Sequence, residues 1–319
     1  MEQALWDQVE QYFRHLETEL SASPNTVAAY RNDLTQFCQY LMSAQRRIDD
    51  SMGDDPAGSI DSWTQVTRAK VIGFIVALKE KGYKTTTAAR KIAAIKSFFH
   101  FLATQGVILN DPTENLDSPR IDKTLPRSLS ESEVNGLLEQ PGQSDSPDDV
   151  RDNAMLRILY STGLRVSELV SLNQGDIDLS SGYVRCLGRR GRERIIPLEA
   201  QAVEALRDYV DRARNALIRS RDEIALFVNH RGDRLTRQGF WLILKEHARQ
   251  AGLSSDITPQ SLRHAFAIRL LDDNTDLRAV QELLGHANIA TTQIYTQIVG
   301  RQGRDNLTAG ADMVGAPEH

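Results

Sequence analysis

His286 and Tyr295 stand nine residues apart near the end of the 319-residue chain, within DLRAVQELLGHANIATTQIYTQ (276–297). A phenol can serve as an oxygen nucleophile that stays attached to what it attacks, and an imidazole beside it can donate a hydrogen bond or move a proton. The stretch makes chemical sense if Tyr295 is presented for that purpose. Val280, Leu283 and Leu284 recur at helical spacing, which predicts a helix over about 277–284 that stops at Gly285, the residue that best tolerates a left-handed cap. His286 follows at once, Ala287 and Asn288 make the turn, and a second short helix from about 289 carries Thr291, Thr292 and Tyr295. A fixed stop and a short helix thus direct imidazole and phenol toward one pocket.

The chain reads as two domains of unequal character, and that pocket belongs to the second. Residues 1–117 read as helices throughout. Ser23 and Pro24 open one of them, in which Val27, Tyr30, Leu34, Phe37 and Leu41 form an apolar stripe. A third helix runs over about 67–81, and a fourth over about 85–105 turns Ile92, Ile95, Phe98, Phe99 and Leu102 inward and leaves Arg90 and Lys91 off the stripe. Residues 118–129 read as a linker, since Pro119 and Pro126 disfavour helix on either side of a charged patch. The second domain, 130–319, opens on a capping box, Ser130 with Glu133. It continues with an apolar helix over about 151–161 ending at Gly163, and another beginning in LRVSELVSL. GYVRCL and ERIIPL, joined by GRRGR, read as a β-hairpin. Helices over about 199–216 and 237–251 enclose a short strand, ALFVN, and TPQSLRHAFAIRLL starts a buried helix with Thr258 as cap. Gln260 and Arg263, three apart, share a face of it. The chain is therefore mostly α with a small β-sheet, and its last residues, from about 309, read as flexible.

The formal net charge of −5 argues against a nucleic-acid partner until it is mapped. Residues 66–100 hold eight basic side chains against Glu80 alone, a balance of +7, and residues 185–194 hold five arginines against Glu193, a balance of +4. Negative charge collects in the loops at 49–61 and 143–149. Clustered basic charge is the footprint of a nucleic-acid binder, so Lys84, Arg90, Lys91, Lys96, Arg190 and Arg192 are candidate DNA contacts. The two cysteines, Cys38 and Cys186, sit in apolar contexts that suit buried thiols and argue against a disulfide or metal framework. There is no P-loop, paired CxxC or HExxH, so neither cofactor nor metal is expected. No apolar run approaches membrane-spanning length and the start is an amphipathic helix, which points to a cytoplasmic protein.

LLGHANIATTQIYT resembles the C-terminal signature of tyrosine site-specific recombinases, the phage integrase family, and within it the Xer type. SPNTVAAYRNDL and ARKIAAIKSFFHFLATQGVILNDPTENLDSP resemble that family's SAM-like core-binding domain, which clamps one side of the duplex. STGLRVSELVSL and TPQSLRHAFAIRLL resemble the segments supplying its two catalytic arginines. The resemblance implies that Tyr295 attacks a scissile phosphate and forms a 3′-phosphotyrosyl link. Arg165 and Arg263 would stabilise the charge that develops, and His286 would assist at the same phosphate. Glu168 would hold Arg165 in place, and His264 would pack or bond to backbone. The implied enzyme performs DNA recombination without metal or cofactor. Its roles would be chromosome-dimer resolution, and with it chromosome partition in cell division and the cell cycle, or the integration of mobile elements. Four subunits would act on two duplexes, the chain pairing with itself or a sister recombinase, under control of a septal DNA translocase.

At two of the six catalytic positions the chain departs from the family. Aligning the ER of GRRGRER with the family's GKGxKER places Arg189 where a lysine serves as general acid, and Gln260 stands where histidine is usual. A guanidinium, with a pKa above about 12, is a poor proton donor, and an amide donates hydrogen bonds but transfers no proton. Beyond the linker the sole lysine is Lys245, on a helix, although a chain with 30 Arg and 8 Lys has drifted toward arginine generally. Two alternatives therefore stay open: a DNA-binding protein of recombinase ancestry with impaired cleavage, and a type IB topoisomerase-like enzyme.

Overall fold

The computed structural model describes residues 2–46, 60–117, 128–142, 144–188, 191–296 and 298–299. Arg189, Arg190, most of the linker, most of the acidic stretch at 49–61 and the chain beyond 299 lie outside the described residues. Contacts divide the chain into two compact units, Met1–Lys123 and Thr124–His319.

Among the described residues the first unit packs four α-helices: α1 (Glu2–Thr18), α2 (Pro24–Arg46), α3 (Arg68–Glu80) and α4 (Thr85–Thr104). Its core is the apolar stripes of α2 and α4 brought face to face, with Leu34, Phe37, Ile95, Phe98, Phe99 and Leu102 buried. Trp63, in a single 3₁₀ turn, closes the core by packing edge-on against Phe98 and donating its indole N–H to the carbonyl of Leu5.

The expected placement of Lys91 is corrected here. Lys91 does not lie off the stripe; it is buried, and its ammonium donates to Asp33 at 2.9 Å and Gln36 at 2.8 Å. A buried ammonium needs such partners, so Asp33 claims Lys91 for the core. Lys96 is half-buried and donates to the carbonyl of Leu116 at 2.8 Å. Arg90 is exposed although paired with the same Asp33, and Lys84 is exposed at the start of α4.

The second unit opens on α5 (Glu131–Leu138), where the Ser130 and Glu133 capping box forms as its residue types require. α6 (Pro147–Thr162) and α11 (Pro259–Asp272) cross at its centre and are buried nearly all round. Around them lie α7 (Val166–Ser171), α8 (Ala200–Asp208), α9 (Arg214–Leu217), α10 (Arg237–Gln250) and α12 (Leu277–Leu284). A final helix, α13, begins at 290 and among the described residues covers 290–296 and 298–299. The sheet has three antiparallel strands in the order β1 (Ile177–Asp178), β2 (Tyr183–Leu187), β3 (Glu193–Pro197), with Cys186 opposite Arg194. Cys38 and Cys186 are both buried free thiols, pushed up by burial to about 12 and about 11.

The expected ALFVN strand does not form a ladder. Residues 225–228 are buried but make only isolated bridges, Asn173 with Ala225 and Val228 with Arg234. Side chains stand in for a neighbouring strand: Arg214 donates to the carbonyls of Ala225 and Leu226, the Tyr209 hydroxyl to Leu226, and Arg151 to Val228. Buried carbonyls need partners, and the chain supplies them with guanidinium groups. The π turn over Tyr209–Ala213, which splits the expected 199–216 helix, falls where Tyr209 and Arg214 both reach this segment.

Candidate active site

Two helices end in the same way, and their ends meet. α6 stops at Gly163 (φ 58°) and α12 at Gly285 (φ 61°), both left-handed. A helix C-terminus leaves carbonyls unpaired and carries partial negative charge, so it attracts cations. Three arginines take up these carbonyls in succession. Arg194 Nε donates to Leu283 O at 2.9 Å, Arg263 Nη2 to Leu284 O at 2.5 Å, and Arg165 Nη2 to Gly285 O at 2.9 Å. Arg263 Nη1 also donates to Gly163 O, tying the two helix ends together. Neither glycine tolerates a side chain: an added Cβ would lie 2.3 Å from the Phe266 ring at Gly163 and 3.1 Å from the Arg194 guanidinium at Gly285. The helix stop legible in the sequence is thus also the socket that aims the arginines.

Glu168 locks two of them. Its carboxylate oxygens accept from the backbone N–H of Arg165 (2.8 Å) and from Arg165 Nη1 (2.8 Å), and a two-pronged contact comes from Arg194 (3.1 and 2.7 Å). Burial alone would push the Glu168 carboxyl up. The hydrogen bonds from Arg194 and the Arg165 backbone, with the two positive charges, outweigh it and hold the group below the usual carboxylate range. Arg263, 1 % exposed and near Arg165, is pushed down to about 10 by burial and by its neighbour's charge.

Tyr295 packs in a small separate core with Phe266, Ala267, Ile268, Val280, Leu284 and Ile298, and is 2 % exposed. Its hydroxyl is not left dry. His264 Nδ1 lies 2.9 Å from Tyr295 Oη, one of the two atoms carrying the shared hydrogen. The His286 ring is inclined 17° to the phenol, with centroids 6.4 Å apart, and His286 Nδ1 is held by Thr292 Oγ1 at 3.0 Å. Burial raises the Tyr295 phenol above its ordinary value, against the pull of Arg263 and Arg165. Both imidazoles are pushed down to about 4, by burial first and then by the Arg263 charge, so both are neutral near pH 7.

Sequence reasoning therefore named a set that the fold gathers: Arg165, Glu168, Arg263, His286 and Tyr295. Gln260 is exposed and shares a cavity with His264. Arg192 is exposed, whereas Arg189 and Arg190 lie outside the described residues. Lys245 offers no substitute for a missing lysine, because its ammonium caps the carbonyls of Ser255 and Ile257. Arg194 and Thr292 were missed. Strand alternation held the signal for Arg194, which shares a face of β3 with the buried Ile196. The reading of His264 is corrected: it bonds to the phenol and not to backbone. Among the described residues, Asp149, Asp152 and His247 bring ligand atoms within 4.8 Å of one another, but on α6 and α10, with Asp152 already bonded to Arg151 and His247.

The depressed histidines carry a stability consequence. Their folded values lie below that of free histidine, so as pH falls the unfolded chain protonates first. Stability is unaffected above about pH 7, falls as pH drops through about 6.5, and the loss is complete near 4. His247, raised by Asp152 despite burial, acts in the opposite sense and adds stability below its free value. Denaturant unfolding at about pH 7.5 and about pH 5 should show a net loss of a few kcal/mol, reduced in His286→Gln.

Models of known families match both units. Residues 127–300 fit the phage integrase family, and residues 9–55 and 54–106 fit the phage integrase N-terminal SAM-like domain. The chain belongs to the phage integrase family. Within it the chain is similar to the Xer tyrosine recombinases: 50% identical over 294 residues to tyrosine recombinase XerC of Roseiflexus castenholzii, covering 92% of this chain and 89% of that one. It is 42% identical over 298 residues to tyrosine recombinase XerD of Oceanobacillus iheyensis, covering 93% and 95%. Among solved structures, XerH site-specific recombinase bound to its difH substrate, a pre-cleavage complex, superposes with a TM-score of 0.67 at 25% identity over 85% of this chain and 76% of that one. The chain is accordingly an enzyme that breaks and rejoins DNA at specific sites. No helix among the described residues is long and apolar enough to cross a membrane.

Proposed function

We propose that Tyr295 is the nucleophile of this recombinase and that Arg165 and Arg263 receive the scissile phosphate. The observation that carries this reading is the common socket. Two guanidiniums are oriented by consecutive carbonyls at the end of α12, and the phenol is packed against that helix end in ring contact with two imidazoles. Attack by Tyr295 Oη on phosphorus expels the 5′ oxygen and leaves a 3′-phosphotyrosyl link. The negative charge that builds on the non-bridging oxygens meets guanidinium donors already oriented, so little reorganisation is required in the transition state. His286, neutral and fixed by Thr292, donates a hydrogen bond to the same phosphate. Glu168 acts through Arg165 and Arg194.

The substrate is a specific double-stranded site, with Lys84, Arg90 and Arg192 as exposed phosphate contacts and, in sequence, Arg190. The similarity to XerC and XerD favours chromosome-dimer resolution over mobile-element integration. The assembly is four subunits on two duplexes, this chain with itself or with a sister recombinase, answering to a septal translocase. Covalent trapping tests the chemistry. On nicked DNA carrying a candidate site, the protein should form a denaturant-resistant adduct and Tyr295→Phe should not.

A second reading, within the same activity, is slow cleavage with DNA binding intact, and it is favoured by Arg189 and Gln260. An adduct that forms slowly despite sequence-specific binding would establish it.

A further inference from the structure

Gln260 and His264 are four residues apart on α11, one turn above the other, and they line the same cavity together with Asp256, Thr258 and Ser261. The family's histidine position is thus occupied by an amide that cannot move a proton, while a histidine one turn along touches the nucleophile. Resting on the reading of Tyr295 as nucleophile, we propose that His264 is a catalytic residue: the general base that takes the phenol's proton during DNA cleavage and returns it during rejoining.

Geometry comes first. His264 Nδ1 stands 2.9 Å from Tyr295 Oη, within reach for direct transfer, whereas the His286 ring stacks at 6.4 Å and its Nδ1 is engaged by Thr292. In the Nε2–H tautomer, Nδ1 accepts the proton as the bond from Oη to phosphorus forms and the bond to the 5′ oxygen breaks. The leaving oxygen takes its proton from water. The imidazolium passes its proton to solvent through the cavity that His264 lines and takes one back by the same route before rejoining, when it gives it to the departing phenolate. Buried beside Arg263, the imidazole is neutral near pH 7 and so begins in the accepting state. The groups around it are Arg263, Gln260 and Ser261 on α11, Tyr295 on α13, His286 after α12, and Asp256 and Thr258 before α11. Arg263 holds the imidazole in the neutral form and, by the same charge, favours the phenolate that the base creates.

The test is single-turnover cleavage of nicked DNA in which sulfur replaces the bridging 5′ oxygen, so that the leaving group needs no proton. His264→Ala and His264→Gln should lower adduct formation by about 10²–10⁴-fold while DNA affinity stays within about twofold, and added imidazole should rescue His264→Ala. His264→Gln is the decisive variant, since glutamine keeps a hydrogen-bond partner for Tyr295 and removes only the proton acceptor. Wild-type-like cleavage by His264→Gln overturns the assignment. Should either variant fail to fold, the wild-type rate profile decides. The rate should fall toward low pH as a single base protonates, a sense opposite to that expected from protonating His286, a donor to phosphate. A flat profile overturns the proposal. The two layers separate cleanly: an adduct with Tyr295→Phe, or none with the wild-type chain, sinks the nucleophile reading and this one with it. Loss in Tyr295→Phe with none in His264→Gln sinks only the base.

Discussion

Replacing Glu168 by alanine is expected to destabilise the second unit by about 3–5 kcal/mol, because it breaks a buried ion pair from one side and leaves the opposite charges behind. The carboxylate accepts from four N–H groups on two arginines, and its removal leaves Arg165 and Arg194 with carbonyl partners only, next to the equally positive Arg263. Glu168→Gln tests charge separately from shape. Its amide presents one acceptor oxygen and two donors to a socket made of donors, so it should recover little of the loss. Cleavage should drop beyond what lower stability explains, by on the order of 10²–10³, since Arg165 loses the contact that aims it at the phosphate. Denaturant unfolding and single-turnover cleavage by the residual folded protein measure the two effects. A Glu168→Gln variant within about 1 kcal/mol of wild type would show that the arginine cluster holds without its counter-charge. The pH sense is fixed as well. The carboxyl is held below its usual range, so its stabilisation is full at neutral pH and is lost as pH falls from the ordinary carboxylate range through the lower folded value.

What the sequence made legible was whatever local rules decide. Gly285 after an apolar i, i+3, i+4 set predicts a left-handed stop, and the stop occurs there because no other residue adopts φ near 60° so cheaply. Ser130 with Glu133, and Thr258 ahead of Pro259, mark helix starts through bonds made within one turn. What stayed hidden depends on partners distant in sequence. Lys91 reads as a surface cation until Asp33, 58 residues away, takes it inside. ALFVN reads as a strand because its burial is right, yet its carbonyls are met by Arg214, Tyr209 and Arg151. His264 reads as a packing residue because nothing local fixes the phase of α13 against α11. α13 follows the turn at Ala287 and Asn288, and its phenol meets His264, 31 residues away in sequence.

The same distinction governs the chain's departure at Arg189, where the residue type is informative without any geometry. Arg189→Lys is expected to raise the cleavage rate on ordinary DNA by on the order of 10²–10⁴, the usual worth of a general acid, because an ammonium near a phosphate can give up a proton that a guanidinium retains. The gain must be specific to the leaving group. With a bridging 5′ sulfur, which departs as a stable thiolate, Arg189→Lys and wild type should cleave at equal rates, while His264→Gln remains slow. Crossing the two substitutions with the two substrates therefore separates the proton leaving Tyr295 from the proton arriving at the 5′ oxygen. Equal rates for Arg189→Lys and wild type on both substrates would mean that protonation of the leaving oxygen does not limit this chain and that water or another donor suffices. A gain on both substrates would place the effect in phosphate binding, as expected if the lysine merely presents a more compact charge. Only the first pattern, gain on oxygen and none on sulfur, assigns the departure from the family to lost acid catalysis.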